Sequence, residues 1–125
     1  MVRYLSDEWM QRAADVLGGT TVPEGTELTV HYEVTGSGDG KRNYTLEATD
    51  GTLRLTPGKR KDAPVNFTLD YDTAAEIARG ELSAQVAFMQ GRLKLGGDIR
   101  VLIDGAGALE SVDDALGDLR ADTEY

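Results

Sequence analysis

Apolar positions along this chain alternate between a helical period and a period of two. From Leu5 to Leu17 they recur at helical spacing, through Trp9, Met10, Ala13 and Val16. That stripe predicts an amphipathic helix, with Trp9 as a core anchor. Ser6 is its expected N-cap, Asp7 and Glu8 sit where the helix dipole favours acids, and Gly18-Gly19 stops it. From Thr26 the period becomes two. Leu28, Val30, Tyr32 and Val34 face one way, and Thr29, His31, Glu33 and Thr35 the other. This is a strand with one covered face and one wet face. A glycine-rich turn, Gly36 to Lys41, leads to a second strand with Tyr44, Leu46 and Ala48 inward. Asp50-Gly51 predicts a tight hairpin into a third strand, Thr52 to Thr56, with Leu53 and Leu55 inward. Val65 to Leu69 alternates again and predicts a fourth strand.

Helical spacing then returns. Asp72 is the expected N-cap of a helix carrying Ala74, Ala75, Ile77 and Ala78, closed by Gly80. Residues 82 to 90 predict another short helix, closed by Gly91, and Arg92 to Leu95 a fifth strand. Asp98 is placed to cap a helix with Ile99, Val101, Leu102 and Ile103. Leu109, Val112, Leu116 and Leu119 carry the pattern on among acidic residues, so 108–120 is expected to be a terminal helix or flap. A meander of strands with helices set apart from it predicts an α+β fold.

The length, 125 residues, fits a single domain over 1–125, large enough to bury one core. Net charge is −9, and the only basic run is Lys59-Arg60-Lys61, so no nucleic-acid partner is expected. That run reads as a solvated loop, or as a contact for a phosphate-bearing head group such as that of coenzyme A. The absence of cysteine excludes disulfides and thiolate chemistry. No run approaches a membrane span and the N-terminal residues lack the apolar core of a secretory signal, so a cytoplasmic protein without stable membrane insertion is expected.

Candidate chemistry is sparse. His31 is the only histidine and falls on the polar face of its strand; neither Ser37 nor Ser83 has a context that would activate it. Asp70 with Asp72, and Asp113-Asp114, are carboxylate pairs better explained as a helix cap and an exposed acidic face. Gly36-x-Gly38-x-Gly40 lies between two strands, which excludes a dinucleotide loop. No catalytic residue, metal site or cofactor is expected. What remains is a supply of bulky apolar residues on helices and on one sheet face, fit to wall a cavity for a lipid.

The run Asp72-Thr73, Gly80-Glu81-Leu82 and Ala87-Phe88-Met89-Gln90-Gly91-Arg92-Leu93-Lys94-Leu95-Gly96-Gly97-Asp98 resembles the sterol carrier protein type-2 family. The likeness extends over about residues 5 to 110. It implies a five-stranded, largely antiparallel mixed sheet, covered by helices on one face, with an apolar tunnel between them. It also implies non-enzymatic binding and transfer of a fatty acid, fatty acyl-CoA or sterol-like lipid. By the same likeness Phe88 and Met89 correspond to the apolar pair on the helix lining the cavity, while Gly91, Gly97 and Asp98 shape the backbone. Together with the apolar clustering, the expected tunnel residues are Val30, Tyr32, Phe67, Ile77, Val86, Phe88, Met89, Leu102 and Ile103. The expected partner is a hydrophobic small molecule, on a monomer or weak homodimer. Two alternatives stand: an accessory protein that presents a lipid-like substrate to a partner enzyme, and a lipid-free interaction or dimerisation module.

Overall fold

The computed structural model describes residues 2–22, 25, 27–37, 40–58 and 62–125, with the backbone alone at 37, 106, 109, 110 and 113. In chain order the elements are β1 (Val2–Arg3), α1 (Asp7–Gly18), β2 (Leu28–Ser37), β3 (Gly40–Thr49), β4 (Thr52–Pro57), β5 (Val65–Asp70), α2 (Tyr71–Ala78), α3 (Ala84–Met89), β6 (Leu93–Gly97), α4 (Ile99–Asp104), α5 (Ala106–Ala115), α6 (Gly117–Ala121) and β7 (Thr123–Glu124). The main sheet has the order β4-β3-β2-β5-β6. Its neighbours are antiparallel except β2 and β5, which run parallel. The fold is α+β, with a mixed, mostly antiparallel five-stranded sheet.

The meander is set by its turn. Asp50 and Gly51 both take left-handed backbone, φ 53° and 78°, the pair of angles that matches the twist of a two-residue hairpin. That turn places Leu46 and Ala48 opposite Leu55 and Leu53. Across β2, Leu28, Val30 and Tyr32 stand opposite Ala48, Leu46 and Tyr44. Every apolar residue of the meander therefore shares one face. At the far edge Gly97 has φ 94°, and a Cβ there would lie 2.0 Å from the Pro64 carbonyl oxygen, so no other residue fits.

α1 begins as its sequence predicts: the Trp9 N–H donates to the Ser6 hydroxyl over 3.1 Å, and Trp9, Met10, Ala13 and Leu17 are buried. Val16, expected in the same stripe, is exposed. α2 starts earlier than expected. Asp70, not Asp72, is the N-cap, because β5 delivers it in extended backbone with its carboxylate 2.7 Å from the Thr73 N–H. α3 is shorter than 82–90, capped by Ser83, whose hydroxyl accepts from the Val86 N–H at 3.1 Å. Asp98 caps α4 as expected, accepting from the Arg100 N–H at 2.9 Å.

The C-terminal segment forms two helices and a strand. β7 pairs in parallel with β1, bringing Val2 beside Thr123 and Arg3 beside Glu124. Arg12 on α1 adds an ion pair to Asp122 at 2.5 Å. α4 lies against β2 and β5, and α5 against α1 and α4. Gly105, between α4 and α5, permits that approach: a Cβ there would come within 2.8 Å of the Leu28 side chain.

Candidate ligand-binding site

A cavity of about 390 Å³ lies between the apolar face of the sheet and the helices. Its floor is one row of the sheet. Tyr44, Tyr32 and Phe67 are register partners on β3, β2 and β5, so strand pairing alone puts three aromatic rings side by side. Tyr32 and Tyr44 stack with centroids 4.7 Å apart, and Phe67 meets Tyr32 edge-on at 5.1 Å. Leu46 and Leu55 extend the floor on one side of that row, and Leu69 and Leu93 on the other.

The walls come from distant parts of the chain. α2 supplies Ala74, Ile77 and Ala78, and the segment after it Leu82 and Ser83. Val112, Leu116 and Leu119, from α5 to α6, add to the walls. Tyr4, Trp9 and Tyr125 complete the enclosure, with Tyr4 in ring contact with Trp9 at 4.9 Å and with Tyr125 at 5.0 Å. The β1–β7 pairing is what holds Tyr4 and Tyr125 together, since each immediately follows one of the two strands.

The phenols of the interior are held neutral. Burial pushes the Tyr32 and Tyr44 phenols well above their ordinary range, and each is raised further by a neighbouring phenol. Tyr4 is raised mainly by burial too, and its hydroxyl donates to the Ala74 carbonyl at 3.3 Å. Among the described residues Arg120 is the only charged residue of the lining, and its Nε donates to the Ala78 carbonyl at the end of α2. Arg79 lies over the Tyr125 ring, 5.4 Å from its centroid, and pairs with Glu81.

Of the tunnel residues expected from sequence, Tyr32, Phe67 and Ile77 line this cavity together. Val30, on the same face, does not line it and is fully buried in the packed core. Val86, Phe88 and Met89 stand outside. α3 turns Ala87 inward, which is fully buried, so its neighbours project outward, Phe88 at 50% and Met89 at 76% exposure. Leu102 is half-buried on α4, and Ile103 is 68% exposed. The candidate head-group contacts Lys59, Arg60 and Lys61 lie outside the described residues.

Sequence reasoning places Trp9, Tyr44, Leu46 and Leu55 inward without assigning them to the cavity; their inward period is legible. Tyr4 and Tyr125 carry no local signal at all. His31 occupies the polar face of the sheet, opposite the cavity, with Nε2 3.0 Å from the Asn43 side-chain oxygen and Nδ1 3.4 Å from that of Asn66. Ser83 lines the cavity on the other face, so the sheet separates the two residues. Among the described residues no cluster of acids and histidine is fit to hold a metal ion, and no helix is long and apolar enough to cross a membrane.

The profile of the SCP-2 sterol transfer family matches residues 7–110. The chain belongs to that family. Its fold is that of known members. Over 90% of this chain and 96% of the other, it superposes on a crystal structure of sterol carrier protein 2 with a TM-score of 0.68 at 20% identity. A conserved hypothetical protein from Thermus thermophilus, described as possibly a sterol carrier protein, gives a TM-score of 0.68 at 19% identity, covering 92% of this chain and 88% of that one. The stereoselective inverting sec-alkylsulfatase Pisa1 from Pseudomonas sp. contains a similar unit, at 28% identity and a TM-score of 0.56; the match covers 75% of this chain and 15% of the sulfatase. No curated protein sequence matches the chain.

Proposed function

We propose that this protein binds a hydrophobic small molecule in the cavity above the Tyr44-Tyr32-Phe67 row and carries or presents it without chemical change. The single observation behind this reading is a 390 Å³ space walled almost wholly by aromatic and aliphatic side chains, in a member of a sterol transfer family. Such a space is within the usual size of small-molecule sites. Each buried methylene contributes about 0.8 kcal/mol, so a chain of about twelve carbons offers roughly 10 kcal/mol before ordering and association costs. Micromolar binding then needs no specific hydrogen bond. Fatty acids, fatty acyl-CoA and sterol-like lipids are the candidate classes. The relative SCP2L2 from Aedes aegypti has a solution structure in a palmitated form, which supports an acyl chain. Presentation of a substrate to a partner enzyme is a second reading, favoured by the presence of a similar unit within an alkylsulfatase.

Trp9 is the only tryptophan and lines the cavity, so its emission reports occupancy. Titration of the purified protein with palmitate is expected to shift that emission with a micromolar midpoint. Ile77→Trp, which fills the cavity from α2, is expected to weaken palmitate binding at least tenfold by calorimetry. Met89→Trp is expected to change it by less than twofold. The reverse ranking, with both variants folded, would put the ligand on the outer face of α3 instead.

A further inference from the structure

Tyr32 and Tyr44 are more than apolar flooring. Each carries a hydroxyl into a desolvated space. No hydrogen bond links either one to another described residue, yet neither is a sealed, orphaned polar atom. A hydroxyl that is unpaired but not sealed, on a residue that lines the cavity, opens onto the lumen. The two rings are parallel within 8° and come from directly opposed residues, so both side chains project the same way from the sheet. Tyr4, by contrast, already donates to the Ala74 carbonyl. The cavity therefore has two adjacent phenols whose donors are unused. Burying such groups without a partner is costly, and the cost is recovered when a ligand supplies an acceptor.

We propose that the Tyr32–Tyr44 pair is a recognition subsite for a neutral oxygen, a hydroxyl or carbonyl, on the end of the ligand that lies against the sheet. This rests on the lipid-binding reading above and narrows its ligand class. Both phenols are neutral donors, and the charged lining residue, Arg120, is tied to the end of α2. A carboxylate brought to the pair would have to be desolvated without a cation designed to meet it. An alcohol or ketone loses far less hydration and gains the same donors. The preferred guest is thus an apolar molecule oxygenated at its inner end, not one that presents a bare hydrocarbon terminus there.

The test compares decan-1-ol with n-decane, titrated against Trp9 emission in the wild-type protein and in the isosteric Tyr32→Phe/Tyr44→Phe variant. The ratio of decanol to decane affinity is expected to fall about tenfold in the variant, the worth of one hydrogen bond made in a dry site. An unchanged ratio, with both probes bound, would overturn the subsite and leave lipid binding standing; it would mean that water keeps the phenols satisfied. If neither probe perturbs Trp9 in the wild type, the lipid-binding reading fails and the subsite with it. Should the variant not fold, the wild type still decides: decane binding at least a thousandfold more tightly than decanol would overturn the subsite, because only a lumen without a partner imposes the full cost of an unpaired hydroxyl.

Discussion

Single residues in this protein act mostly by ending elements. Asp70 terminates β5 and starts α2 with one side chain, and its hydrogen bonds to Thr73 hold its carboxyl below the ordinary aspartate range. A folded-state pKa below the unfolded value means stability that is full above the unfolded value and lost as pH falls through the folded one. Asp70→Ala is therefore expected to cost about 1 kcal/mol at neutral pH. The gap between wild type and variant should shrink as pH drops below about 4, the unfolded aspartate value. Urea unfolding at neutral and acidic pH checks this; a pH-independent gap would mean that the charge is not what caps the helix. Asp72, with its carboxylate exposed in the first turn, is the better candidate from spacing alone. Spacing misplaces the cap because strand and helix meet without a loop, and no local pattern marks such a join.

At the level of elements, close approach decides what is tolerated. β6 can reach its register partner on β5 only because position 97 has no side chain. Gly97→Ala is expected to destabilise by at least about 2 kcal/mol, from positive-φ strain together with collision against the Pro64 carbonyl. Chemical denaturation would show it as a lowered midpoint with little change in slope; a loss under about half a kcal/mol would mean that the strand end simply moves away. The same level explains the exposed apolar residues of α3 and α4. A helix of barely two turns buries one narrow strip. With Ala87 in the inward position, Phe88 and Met89 are left outside, although their bulk and their likeness to the family's apolar pair point inward.

For the whole molecule, all five tyrosines, Tyr4, Tyr32, Tyr44, Tyr71 and Tyr125, belong with Trp9 and Phe67 to one connected set of ring contacts. Tyr4, Tyr32 and Tyr44 are pushed upward mainly by burial. Their neutral forms therefore contribute stability that is intact below about pH 10, the unfolded tyrosine value, and is lost as pH rises toward the folded values. Alkaline unfolding is expected, with phenolate absorbance of these three residues appearing together with the shift of Trp9 emission. Reversible titration of all five near the ordinary value, with the fold intact, would contradict their burial. The cavity is a product of the same scale, because its walls combine Tyr4 just after the N-terminal strand, residues of the sheet and Leu119 of the last helix.

The sequence by itself determined which residues face inward along each strand, the caps that start α1 and α4, and the family likeness that goes with them. Those properties depend on neighbours a few positions apart: a period of two or 3.6, a cap, a glycine. Only the tertiary structure decided which inward residues form a cavity and which form solid core. Val30 and Tyr32 follow the same period on the same strand, yet one is sealed under packing and the other opens onto the lumen. The difference comes from strand register, which sets Tyr32 in line with Tyr44 and Phe67, and from the pairing of β1 with β7, which brings Tyr4 and Tyr125 together across the length of the chain. Contacts between residues so far apart in the chain leave no periodic trace in it, because each partner alone obeys only its own local rule.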